Sequence, residues 1–138
     1  MTTRGAPAAL VCSHCGARHR SITDNDCLDR QMTEKTLQER VIGRAKRRKW
    51  VVAHAGKGWV GNEGAIVTPM SPGWPDLMLF KPGMPHPVIA MEFKREQGVV
   101  SEDQWKWLQL MNACAIPAVV IRPSDLREGR VTAILMGR

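Results

Sequence analysis

Two short apolar runs, Leu77–Phe80 and Val88–Phe93, flank a linker that carries Pro82, Pro85 and Pro87. Proline cannot donate to a strand ladder, so this pattern predicts an antiparallel hairpin with the prolines in its turn. Strand side chains alternate faces, which sends Glu92 and Lys94 to one side and Met91 and Phe93 to the other. Upstream, Leu37, Val41, Ala45 and Arg48 follow Glu34 at helical spacing. They predict a helix over Thr33–Lys49, capped by Thr33, with Glu34 in the first turn and facing inward at the end of the stripe. Trp50–His54 reads as a short strand. Ser101 and Gln104 form a capping box that starts a second helix running to about Ala113. Its stripe of Trp105, Trp107, Leu108, Met111 and Cys114 is expected to cover the sheet, with Cys114 a buried thiol. Ala118–Ile121 reads as a further buried strand, and Arg122–Asp125 as a turn into a short C-terminal element. The order helix, strand, hairpin, helix, strand predicts the α/β class, a mixed sheet of about four strands with helices packed on it.

The hairpin also concentrates charge. Pro75-Asp76 opens its first strand, and antiparallel pairing brings Asp76 close to Glu92 and Lys94. Two carboxylates and an ammonium at one strand edge are costly to bury unless they act together, for example by holding a hard cation. The plain structural alternative is a surface salt bridge among the three.

Pro75-Asp76 followed by Glu92-Phe93-Lys94 resembles the PD-(D/E)xK nuclease signature. The wider text Gly-Trp-Pro-Asp-Leu-Met-Leu, Met-Glu-Phe-Lys, Ser-Glu-Asp-Gln-Trp-Lys-Trp-Leu and Val-Ile-Arg-Pro-Ser-Asp-Leu resembles the VRR-NUC branch of that superfamily, especially its small stand-alone bacteriophage versions. The resemblance runs from about Thr33 to the C-terminus. It implies a nuclease core and a Mg²⁺-dependent deoxyribonuclease, with Mn²⁺ able to substitute, acting on branched or junction DNA. Phosphodiester hydrolysis needs a nucleophilic water near neutral pH and neutralisation of an anionic transition state. On that reading Asp76 and Glu92 supply oxygens for Mg²⁺, the backbone carbonyl of Phe93 offers another, and Lys94 orients or deprotonates the water or offsets charge on the phosphorane. It also implies that an acidic residue of the first helix joins the metal site. Glu34 matches that position, with Glu39 as the fallback on another face. A glutamine one turn into the second helix, here Gln104, would contact the metal–water region, although the capping box alone explains it. A junction cutter needs two active sites, so a homodimer fits.

The chain of 138 residues suffices for one domain with a real core. Its net charge of +7, from 20 basic and 13 acidic residues, suits a polyanion. No apolar stretch approaches a membrane span, and the N-terminal apolar run is too short for a secretory signal, so a cytoplasmic setting is expected, with phage encoding implied by the resemblance. Residues 1–30 read as an N-terminal arm and 31–138 as the nuclease domain. Within the arm, Cys12-Ser-His-Cys15-Gly suits two thiolates meeting one zinc, and His19 and Cys27 are candidates to complete the shell. Reduced cysteines on a flexible arm read equally well.

Two basic features suit phosphate contact. Arg44-Ala-Lys46-Arg47-Arg48-Lys49 holds more cations than capping a helix C-terminus requires, so Lys46, Arg47, Arg48 and Lys49 are DNA-binding candidates. The glycine-rich stretch Ala55–Gly73, with Lys57, reads as a substrate-facing loop or a surface insertion. Sequence-specific restriction-type cutting, and a non-catalytic DNA-binding scaffold, are the competing functions.

Overall fold

The computed structural model describes residues 10–11, 18–19, 24–54 and 71–138. Cys12, Cys15, Lys57 and most of the glycine-rich stretch lie outside the described residues. A two-stranded antiparallel sheet of β1 (Leu10–Val11) and β2 (Arg18–His19) precedes helix α1 (Asp24–Gln31). Then comes α2 (Glu34–Arg47), where the Thr33 hydroxyl accepts a hydrogen bond from the Thr36 N–H at 3.1 Å and so caps the first turn. Leu37, Val41 and Ala45 are fully buried along one side. The helix stops at Lys49, whose left-handed φ of +68° lets the Trp50 N–H reach back to the Ala45 carbonyl at 3.0 Å.

Four strands follow as the main sheet: β3 (Val51–His54), β4 (Leu77–Phe80), β5 (Val88–Phe93) and β6 (Ala118–Ile121), in spatial order β3-β4-β5-β6. The β3–β4 and β4–β5 pairs are antiparallel, and β5–β6 is parallel. The parallel pair is joined by α3 (Glu102–Ala113), which crosses over one face. The hairpin boundaries and the mixed sheet are as the sequence pattern predicts.

Both faces of the sheet are covered. Leu77, Leu79, Ile89, Met91, Phe93 and Ile121 pack against the buried stripe of α2 and against α4 (Pro123–Arg127) and α5 (Arg130–Leu135). The opposite face, through Met78, Ala90 and Ala118, packs on Leu108 and Met111 of α3 and on Val100. The alternation along β5 therefore assigns Glu92 to the α3 side, beside Ala90. Among the described residues no helix is long and apolar enough to cross a membrane.

Two expectations about burial need correction. On α3 only Leu108 and Met111 are buried; Trp105 is 49% exposed and Cys114 is exposed. A single helix laid across a small four-stranded sheet hides a narrow stripe, so residues at its margins meet solvent. Glu34, expected to face inward, is exposed at the first position of α2, because a side chain there projects back past the end of the stripe. Cys27, a candidate zinc ligand, is 1% exposed within α1, where its Sγ accepts from Gln31 Nε2 at 3.0 Å. Helix α1 packs on α4 through buried Asp29, which pairs with Arg127 at 2.8 Å.

Candidate active site

Leu77 pairs with Met91, so Asp76 lies just beyond the end of the β4 ladder. Pro75 precedes it, buried and without an N–H to offer. The Asp76 side chain takes over where the ladder ends: its Oδ2 accepts the Phe93 N–H at 2.8 Å. That bond holds the Asp76 carboxylate against the C-terminal end of β5, next to Glu92.

Glu92 is only 2% exposed, and its Oε2 has no hydrogen-bond donor. The polar group facing Glu92 is the Asp76 carboxylate, so the two form a hydrogen bond only when one carries a proton. Burial first, and the neighbouring Asp76 second, push the Glu92 carboxyl up from 4.5 to about 8, against the opposing pull of the Lys94 ammonium. An orphaned, buried carboxylate oxygen is rare in a folded protein because it forfeits its hydration. Beside a second carboxylate it suits a hard cation, which would restore that lost solvation.

The other oxygen of Glu92 is fixed by α3. Gln104 Nε2 donates to Glu92 Oε1 at 2.7 Å. The same side chain's Oε1 accepts the Ser101 N–H at 2.8 Å, and the Ser101 hydroxyl accepts the Gln104 N–H at 3.2 Å. The capping box thus dictates which end of the Gln104 amide faces Glu92. Gln104 therefore both caps the helix start and aims the Glu92 carboxylate.

Gly73 makes this approach possible. A Cβ at Gly73 would lie 2.3 Å from the backbone of Asp103, and its φ of +83° also demands glycine. The segment leading to Asp76 therefore rests directly on the first turn of α3. Trp74 follows, its ring edge-on to Trp107 at 4.8 Å, while Trp107 Nε1 donates to the Pro72 carbonyl at 3.0 Å. The sequence signalled the motif Gly73-Trp74-Pro75-Asp76 but not this role; a glycine two residues before a Pro-Asp pair was the available clue.

The remaining candidates separate by position. His54 pairs with Leu77, and Val51 with Phe80, so β3 begins at the sheet edge opposite Asp76. The basic end of α2 feeds directly into that beginning. Lys46, Arg47, Arg48 and Lys49 therefore sit about 10 Å or more along the strand direction from the carboxylates. There Arg44 Nη1 donates to the Thr132 hydroxyl at 3.2 Å, and the Arg48 carbonyl accepts from Lys81 Nζ at 2.8 Å. Arg122 does not pair with the Asp125 carboxylate through its guanidinium; Asp125 accepts the Arg122 backbone N–H and an Arg130 guanidinium N–H. Among the described residues no third His, Cys, Asp or Glu joins Asp76 and Glu92, so Glu34 is not part of the cluster. Of the candidate zinc set, Cys12 and Cys15 lie outside the described residues, and His19 is described only as part of β2.

Residues 67–125 match the family model of the VRR-NUC domain. That stretch, a little under half of the chain, is similar to the VRR-NUC domain. The matched stretch contains Gly73, Asp76, Glu92, Lys94, Gln104 and Arg122, the residues whose contacts shape this sheet edge. VRR-NUC is a nuclease domain, so the match points to a nuclease, a hydrolase acting on DNA. The mixed sheet with helices on both faces agrees with a nuclease core of the PD-(D/E)xK type. No curated protein and no solved structure matches the chain.

Proposed function

We propose that this chain is a Mg²⁺-dependent deoxyribonuclease, with Mn²⁺ able to substitute, that cuts branched DNA. One observation carries the catalytic part: Glu92 is buried with an orphaned oxygen beside Asp76, on the same strand face as Lys94. Asp76 and Glu92 would hold the cation, with the Phe93 carbonyl as a further oxygen; Mg²⁺ commonly takes only one or two carboxylates and completes its shell with water and phosphate. Bound there, a divalent cation lowers the pKa of a water and offsets charge on the phosphate. Gln104 orients Glu92 through Oε1 and leaves Oε2 toward Asp76. Lys94, half-buried two residues beyond Glu92, supplies a cation to the attacking water or to the transition-state oxygens.

The preference for branched DNA rests on the VRR-NUC family. A homodimer presenting two such edges would serve a junction. The test uses a labelled four-way junction, a matched linear duplex and a single strand, each with Mg²⁺, with EDTA, and with Lys94→Ala protein. Junction cutting that needs Mg²⁺ and disappears in Lys94→Ala supports the whole reading. Equal cutting of all three substrates keeps the chemistry and removes the branched preference. Discrete fragments from duplex of defined sequence indicate a restriction-type enzyme. DNA binding without any cutting leaves only a scaffold.

A further inference from the structure

The turn leaving β5 is organised around Arg122. Its Nη1 donates to the carbonyls of Arg95 at 2.8 Å, Glu96 at 3.2 Å and Gly98 at 2.7 Å. In a trans peptide the C=O and N–H point in opposite directions, and no peptide bond here is cis. Drawing these carbonyls onto Arg122 turns the N–H groups of Glu96, Gln97 and Val99 to the outer side of the turn. Those amides have no acceptor among the described residues. The acid in this turn, Glu96, is already engaged, its Oε2 accepting the Ser124 N–H at 3.0 Å.

A cavity of about 280 Å³ lies against this turn, lined by Arg30, Arg95, Gln97 and Gly98. Arg95 directly follows Lys94, and Arg30 comes from α1, which the Asp29–Arg127 pair anchors to α4. Among the described residues neither guanidinium makes a hydrogen bond or ion pair. Two uncompensated guanidiniums on one cavity repel each other, and an anion between them removes that repulsion. The planar fork of arginine matches phosphate oxygens two at a time, and outward backbone amides form an anion-binding concavity.

We infer that this cavity seats a backbone phosphodiester of the DNA strand, next to the one that is cut. The inference rests on the nuclease reading, which brings a strand to the adjacent Lys94. It gives the domain a substrate-gripping site at the catalytic edge, separate from the basic end of α2.

The test measures binding of a short labelled duplex with 5′-hydroxyl ends, so that every phosphate offered is a phosphodiester. Full-length wild type, Arg30→Gln, Arg95→Gln and Arg138→Gln are compared in EDTA over a salt series. Arg138 lies beside Pro85 and Pro117 at the opposite sheet edge and controls for loss of one charge. The expected result is that each cavity variant weakens binding and lowers the salt slope by about 0.9, as loss of one phosphate contact does, while Arg138→Gln keeps the slope. Inorganic phosphate should also shift the backbone amide resonances of Gln97 and Val99 in wild type, and not in the Arg30→Gln/Arg95→Gln double variant. Cavity variants with the slope of Arg138→Gln, or wild-type amides that ignore phosphate, would overturn the inference. Wild type cutting with Mg²⁺ while those slopes stay equal removes the cavity alone. Wild type binding without cutting, with the slopes still lowered, removes the nuclease reading and keeps the cavity.

Discussion

The two edges of the sheet handle polar groups in opposite ways. At the edge where β3 begins, buried and half-buried polar groups find partners: Lys81 Nζ donates to the Arg48 carbonyl, Arg44 to the Thr132 hydroxyl, and Trp50 Nε1 to the Leu135 carbonyl at 3.1 Å. At the edge where β5 ends, a buried polar group is left in deficit. Glu92 is buried with one oxygen unpaired and its carboxyl pushed up to about 8, and Asp76 is held against it by a backbone amide. A fold stabilised only for its own sake would replace Glu92 with an apolar residue, as the neighbouring Ala90 shows. The deficit marks where the proposed chemistry would cost the fold stability.

Substitutions can break or sharpen that contrast. The largest effect is expected for Lys94→Ala, which should lower the single-turnover cleavage rate on labelled DNA by roughly 10²–10⁴-fold with little loss of stability. A comparable drop from Arg48→Ala would erase the distinction between the edges. Gly73→Ala should destabilise the protein by about 2–5 kcal/mol in urea unfolding, since it combines a backbone clash with a left-handed φ. A neutral result would mean that the segment before Asp76 does not rest on α3.

Next is pH. The folded-state carboxyl of Glu92 lies at about 8, above its ordinary 4.5. Between these values the folded state holds more protons than the unfolded state, so stability of the metal-free protein falls as pH rises through that window. The loss should amount to a few kcal/mol and vanish in Glu92→Gln, measured by urea midpoints in EDTA at pH 6 and pH 9. Gln104→Glu keeps an acceptor for the Ser101 N–H but sets a third carboxylate against Glu92. It should cost about 1–3 kcal/mol and abolish cleavage, while Gln104→Ala costs the cap as well. The smallest effect belongs to the end of α3 away from the site. Ala115 has a φ of +64°, and Ala115→Gly should raise the thermal midpoint by an amount equivalent to at most about 1 kcal/mol.

The sequence made the frame legible because its signals were local. Prolines bracketed the hairpin, Thr33 and Ser101 announced their helices, and alternation along β5 placed Glu92 and Lys94 on one face. What it concealed depended on neighbours distant in the chain. Trp105 and Cys114 sit at helical spacing with Leu108 and Met111, yet only the width of the sheet decides which of them is covered. Glu34 has the spacing of an inward residue, but its place at the helix start turns it to solvent. The guanidinium of Arg122 goes to carbonyls of residues 24 or more positions earlier, which no spacing rule reveals. The basic run on α2 was legible as charge, whereas its distance from the carboxylates required the β3–β4 register.

The contact between Trp74 and Trp107 has an optical consequence. The chain has five tryptophans and no tyrosine, so its near-ultraviolet circular dichroism is dominated by indoles. Rings 4.8 Å apart and inclined at 70° couple their transitions and give a paired positive and negative band. Trp74 stands two residues before Asp76, and Trp107 three residues after Gln104. Any cation or DNA strand that shifts either residue changes the couplet, and the protein carries its own unlabelled reporter of occupancy at this edge.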